Sequence, residues 1–135
     1  GLSVAAHPAP LTDLLPAAGQ GIITVAARPD RLTPQLSQAL AALDHAATRA
    51  MASADRAFLA ELDGSCRTAM AAQLTNRDGT WHLVGEVLAP DGQSKWSARA
   101  SALLSASMEE LAALGVALGK NIRAQAGGDL PVFED

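Results

Sequence analysis

The sequence predicts an α+β fold: a helix, a three-stranded antiparallel sheet and a second helix, preceded by a strand and a helix of an incomplete upstream domain. Three observations carry this. Met51, Ala54, Phe58 and Leu62 form an apolar stripe at helical spacing. Three segments between residues 68 and 102 then alternate with period two, separated by glycine-bearing turns. Leu111, Leu114, Leu118 and Ile122 make a second helical stripe. Helices on both sides of a short meander must cover one sheet face.

Each element has its own signal. Pro8, Pro10 and Pro16 keep the first 18 residues out of helix. Residues 22–27 are a short apolar run with β-branched members, bounded by Gly21 and Pro29, and read as a buried strand. Such a strand needs neighbours on both sides, and residues 1–32 contain no second one. Thr33 followed by Pro34 is a helix start, with the helix running to about Leu43. Asp44 is the expected cap of the next helix and Gly64 its breaker. Strands follow over 68–75, around Trp81, Leu83 and Val87, and over 94–102, where Trp96, Ala98 and Ala100 share a face. Asn76, Arg77, Asp78 and Gly79 form the first turn, and Pro90, Asp91 and Gly92 the second. Ser107 and Glu110 form a capping box for the last helix, which Gly127 and Gly128 end. The expected divisions are 1–43 as an upstream remnant, 44–126 as the C-terminal domain and 127–135 as a tail.

Composition narrows the function. A chain of 135 residues is of single-domain size. Its net charge of −4 argues against broad electrostatic binding to nucleic acid or anionic membranes. No apolar run is long enough to span a bilayer, and the start lacks the pattern of a secretory signal. A single cysteine, Cys66, excludes an internal disulfide and a cysteine-rich zinc site, and a reducing cytoplasm is the expected location.

Cys66 follows a helix exit, which leaves two readings open: a small buried hydrophobe, or a thiol placed to carry something. The negative end of a helix dipole raises a thiol pKa, and the neighbouring Arg67 offsets it. A nucleophile would need a base, and His7, His45 and His82 are scattered, with no ligand spacing for a metal either. Gly19, Gln20 and Gly21 lack the third glycine and the lysine of a phosphate loop. They read as a tight turn, or as a place where backbone amides approach a ligand. Asp55 and Arg56 read as a solvated pair on a helix surface, and Asp63 as an ordinary loop residue.

Three stretches resemble porphobilinogen deaminase, also called hydroxymethylbilane synthase. Residues 15–28, LPAAGQGIITVAAR, are similar to that family's L-P-A-x-G-Q-G followed by a strand ending in arginine. Leu43, His45 and Thr48 match L-x-H-x-x-T, and residues 54–66, ADRAFLAELDGSC, match A-E-R-x-F-L-x-x-L-x-G-G-C. The resemblance runs from Leu15 to Cys66 and more weakly to about residue 126. It implies a three-domain enzyme about twice this length, of which this chain is the C-terminal part. The full enzyme, a cytoplasmic monomer, condenses four porphobilinogen molecules into hydroxymethylbilane, losing ammonia at each step. It also implies that Cys66 carries a dipyrromethane cofactor by a thioether link, reaching into a cleft between two other domains. Gly19, Gln20 and Gly21 are implied as cofactor neighbours. The catalytic carboxylate and the arginines that hold substrate carboxylates would lie upstream, so Asp13, Asp55 and Asp63 are not assigned that role.

The sequence departs from the family pattern at Ser65, where a second glycine is usual, and at Ala69, where proline is. The strand often written Glu-Cys-Arg ends here in Ala26, Ala27 and Arg28. Two other classes remain: a non-catalytic α+β binding module that kept this domain, and a stand-alone thiol hydrolase acting through Cys66.

Overall fold

A computed structural model describes residues 14–64 and 69–130. The order of elements is a 3-10 turn (Pro29–Arg31), α1 (Pro34–Leu43), α2 (Ala46–Glu61), β1 (Met70–Arg77), β2 (Thr80–Leu88), β3 (Lys95–Leu103) and α3 (Met108–Ala126). The α+β class and the helix, meander, helix order agree with the sequence reading.

The sheet is a plain antiparallel meander, β1-β2-β3. Its register follows from the turn between β1 and β2. Asp78 and Gly79 both take positive φ (51° and 75°), as a two-residue type I′ hairpin requires. Arg77 therefore faces Thr80, and Leu74 faces Leu83. That register puts Met70, Ala72 and Leu74 on one face with Trp81, Leu83 and Val87, all buried. The predicted strands are offset by two residues or fewer from those observed.

Helices α2 and α3 cover that face. Phe58, Leu74, Leu83, Val87, Leu111 and Ile122 are the large side chains buried at the centre. Ala54 and Leu62 are buried on the predicted α2 stripe, with Met51 partly covered. The helices approach closely because Gly115 carries no side chain: a Cβ there would collide with the carbonyl oxygen of Ala54. The capping box of α3 forms as expected. The Ser107 N–H donates to Glu110 Oε2 at 2.7 Å, and the Glu110 N–H donates to Ser107 Oγ at 3.2 Å.

The upstream segment differs from expectation. Residues 22–27 form no strand; Ile23 is 90% and Val25 62% exposed. The physical reason is the missing partner: both faces of the run are apolar, but no second strand among the described residues pairs with it. Helix α1 does form, with Thr33 Oγ1 accepting from the Leu36 N–H at 3.2 Å, yet it has no buried residue. The cap of α2 is His45 rather than Asp44. The imidazole Nδ1 accepts the Thr48 N–H at 3.3 Å and bonds Thr48 Oγ1 at 2.8 Å, while Asp44 pairs with Arg49. At the far end α2 stops at Glu61, before Gly64, because Asp63 turns the chain with φ 54°.

Replacing Gly115 by alanine should force the α2 backbone away from α3. We expect a loss of about 2 kcal/mol or more in urea unfolding, because the obstacle is backbone and no flexible side chain can give way. Ala113→Ser, on the same helix and exposed, should cost less than about 0.5 kcal/mol.

Candidate functional site

Two parts of the chain that sequence reading kept apart meet at Asp55. The Gly19 N–H donates to Asp55 Oδ2 at 3.1 Å across 36 residues of sequence. Ala17 also bridges to Ala71 on the edge of β1. The segment around Gly19 is thereby fastened to both α2 and the sheet.

The geometry around Gly19 explains its composition. Gln20 N–H bonds Ala17 O at 2.9 Å, and Ile22 N–H bonds Gly19 O at 3.1 Å, giving two overlapping turns. Gly19 and Gly21 each occupy the third place of one turn with φ of 73° and 79°. Type II turns require positive φ at that place, which a side chain disfavours. Of the two readings for these glycines, the tight turn is present, and the Gly19 amide is directed at a carboxylate of the chain itself. Gln20 is exposed, and its side chain borders a groove on the outer sheet face.

Asp55 is not the solvated residue expected from sequence. It is 5% exposed, whereas Arg56 is exposed to solvent. A signal for its burial existed: Asp55 is four residues after Met51 and three before Phe58, so it lies on the same stripe. It also stands where the A-E-R-x-F-L motif has glutamate. Its Oδ1 is buried with no hydrogen-bond partner among the described residues. Burial pushes its pKa up to about 6, partly offset by the backbone amides of Gly19 and Leu74.

Cys66, Ser65, Arg67 and Thr68 lie outside the described residues, and so does His7. Both flanks of that stretch are fixed. On one side, Gly64 N–H bonds Leu59 O at 2.8 Å. Gly64 also packs so tightly that a Cβ would come within 2.9 Å of Met70 Sδ. On the other side, Ala69 O accepts from the Leu88 N–H at 2.9 Å. Arg123 of α3 holds the exit of α2: its guanidinium donates to the Glu61 carbonyl and lies 3.3 Å from Asp63 Oδ2. Of the other histidines, His45 is the cap of α2 and His82 lies exposed on the outer sheet face. Among the described residues no group of three His, Cys, Asp or Glu could hold a metal.

The comparisons with known proteins agree with this architecture. Residues 50–124, which span α2 to α3, match the family described as "Porphobilinogen deaminase, C-terminal domain". The described unit is thus the carboxy-terminal α+β domain of that enzyme class. Porphobilinogen deaminase of Paraburkholderia phytofirmans is 42% identical over 118 residues, covering 87% of this chain and 34% of the relative. That of Chromobacterium violaceum is 46% identical over 90 residues, 67% of this chain and 28% of the relative. The chloroplastic protein of Pisum sativum is 36% identical over 118 residues, 87% of this chain and 31% of the relative. The chain belongs to the porphobilinogen deaminase family, and it spans about a third of the length of these relatives.

The buried carboxylate has a measurable consequence. Because the folded pKa of Asp55 is raised above the unfolded value of 3.8, the fold is favoured when Asp55 is protonated. Its contribution is fully present below about pH 4 and is lost as pH rises to about 6, amounting to roughly 3 kcal/mol. Asp55→Asn should abolish that slope and raise stability at pH 7. Urea denaturation of both proteins at pH 4, 5, 6 and 7 checks this; parallel curves would show that Asp55 is not the titrating group.

Proposed function

We propose that this chain is the cofactor-carrying C-terminal part of a transferase that condenses four porphobilinogen molecules into hydroxymethylbilane. The observation that supports it is the family match across α2, the cysteine-containing link and the sheet. The link joins two anchored points, Gly64 and Ala69, in a chain whose sole thiol lies between them. Only a thiol can form a thioether, so the residue present fits the dipyrromethane group.

In this reading Cys66 holds the group through its Sγ, as a tether and not as a nucleophile of each turnover. The domain's own work is to anchor both ends of the link that carries the thiol. The helix exit clasped by Arg123 and the packed Gly64 do this from one side, and β1 does it from the other. Gly19, Gln20 and Gly21 would neighbour the cofactor, and of the three Gln20 alone carries a side chain that could contact it.

The acid–base carboxylate and the arginines that hold acetate and propionate groups belong to the remaining two thirds of the protein. The 135-residue chain is therefore inactive alone.

A chimera supplies the test. Residues 44–126 of this chain replace the corresponding part of the Paraburkholderia phytofirmans enzyme. The denatured intact mass should show an excess equal to one dipyrromethane unit, and the chimera should consume porphobilinogen. Cys66→Ser should remove the excess mass and reduce activity at least a hundredfold. A folded chimera of bare mass would overturn the reading and leave a binding module that kept the domain without its cofactor.

A further inference from the structure

The outer face of the sheet, opposite the helices, carries a charge pattern that the cofactor role does not use. Strand register places its residues in rows. Arg77 on β1 is level with Thr80, His82 is two positions further along β2, and Arg99 on β3 is level with Val84. The three basic side chains thus lie on one diagonal across all three strands, and all are exposed. Neighbours along such a diagonal are roughly 7–8 Å apart. The ends, two strands and four residues apart, are separated by roughly 16 Å between Cα atoms.

This diagonal forms part of the floor of a groove of about 1160 Å³, whose wall includes residues 14–17 and Gln20. Among the described residues the acidic one lining it is Glu86, whose carboxylate is taken up by Lys95 at 3.1 Å. Among the described residues neither Arg77 nor Arg99 has an ion-pair partner. In a chain of net charge −4, two arginines flanking a histidine on one face make a local positive field. Arginine forks bind planar carboxylates with two parallel hydrogen bonds, and a strand holds each fork at a fixed spacing.

We propose that Arg77, His82 and Arg99 form a binding site for a small molecule carrying several carboxylates, laid diagonally across the sheet. The choice of carboxylate over phosphate rests on the proposed function, whose substrate and product are polycarboxylates; the site itself does not. Gln20 joins this groove to the turn already assigned as a cofactor neighbour, so a polycarboxylate held here would lie beside the cofactor region.

The test is calorimetric titration of the 135-residue chain with mellitate, a benzene ring bearing six carboxylates, at low ionic strength. One molecule should bind per chain, and amide signals of residues 73–86 and 97–101 should move in NMR spectra. Arg77→Gln and Arg99→Gln should each weaken binding about tenfold, and the double variant should abolish it. Lys120→Gln, exposed on α3 away from the outer sheet face, should change affinity less than twofold. Because the two arginines are exposed, thermal unfolding of the variants should match the parent. Equal affinity of the double variant, or signals moving elsewhere, would overturn the site. Tighter binding of inorganic pyrophosphate than of mellitate would overturn the assignment to carboxylates. A bare Cys66 in the chimera would sink the cofactor role while leaving this binding result intact.

Discussion

The whole arrangement depends on how closely α2, α3 and the sheet converge on Phe58. Its ring lies under Gly85 of β2, where an added Cβ would stand 2.8 Å from Cε2. On the other side the Phe58 amide lies beside Gly115 of α3, with room for a hydrogen and nothing larger. A fully buried aromatic ring contributes about 3 kcal/mol through its area alone. Its position matters more than its area, because from α2 it meets two other elements, β2 at Gly85 and α3 at Gly115, where each lacks a side chain. The alanine-rich composition is the counterpart: with few aromatic residues, the core is filled by bringing backbones together rather than by bulk.

Asp55 lies one turn before Phe58 and inherits that burial. A carboxylate at this depth is costly, and the fold offsets only part of the cost through the Gly19 and Leu74 amides. Among the described residues, 14–21 are joined to the C-terminal domain by this hydrogen bond, the bridge at Ala17 and the packing of Ala18 against the core. After them, residues 22–33 and α1 run across the surface without burying a side chain. Apolar residues such as Ile23 and Leu43, at 90% and 69% exposure, are then left without the packing that their composition calls for.

Much of this was legible in the sequence because the signals were periodic or local. Period-two alternation located three strands, and the stripes at Phe58 and Leu118 located the helices that cover them. The Ser107 capping box was readable because both partners lie within four residues. What could not be read depended on distance in the chain. The Gly19 contact spans 36 residues, and nothing local to either end announces it. Residues 22–27 misled for the same reason: apolar β-branched sequence supplies strand propensity, but a strand exists only where another supplies hydrogen bonds. His45 displaced Asp44 as cap because its ring nitrogen reaches the Thr48 amide, which gives the Leu43, His45, Thr48 pattern a structural meaning that spacing alone did not disclose. The diagonal of Arg77, His82 and Arg99 was hidden too, since the sequence separates residues that register brings into line.

The anchoring of the cysteine-bearing link at the end of α2 follows from the same geometry. A helix end carries partial negative charge, and here Glu61 and Asp63 add two carboxylates to it. Arg123 changes the balance: from the last turn of α3 it binds the Glu61 carbonyl, lies 3.3 Å from Asp63 and 4.0 Å from the Glu61 carboxylate. One cation thus compensates the end of α2 just before the link to β1. That contact exists because α3 runs parallel to α2, which brings Met108 to Ser53, Gly115 to Ala54 and Arg123 to Glu61, an approach that Gly115 and Gly119 permit by letting the helices touch. Core packing and the charge balance at the end of α2 are therefore set by one pair of helices, so a change that spreads them would also loosen the Arg123 clasp on Glu61 and Asp63.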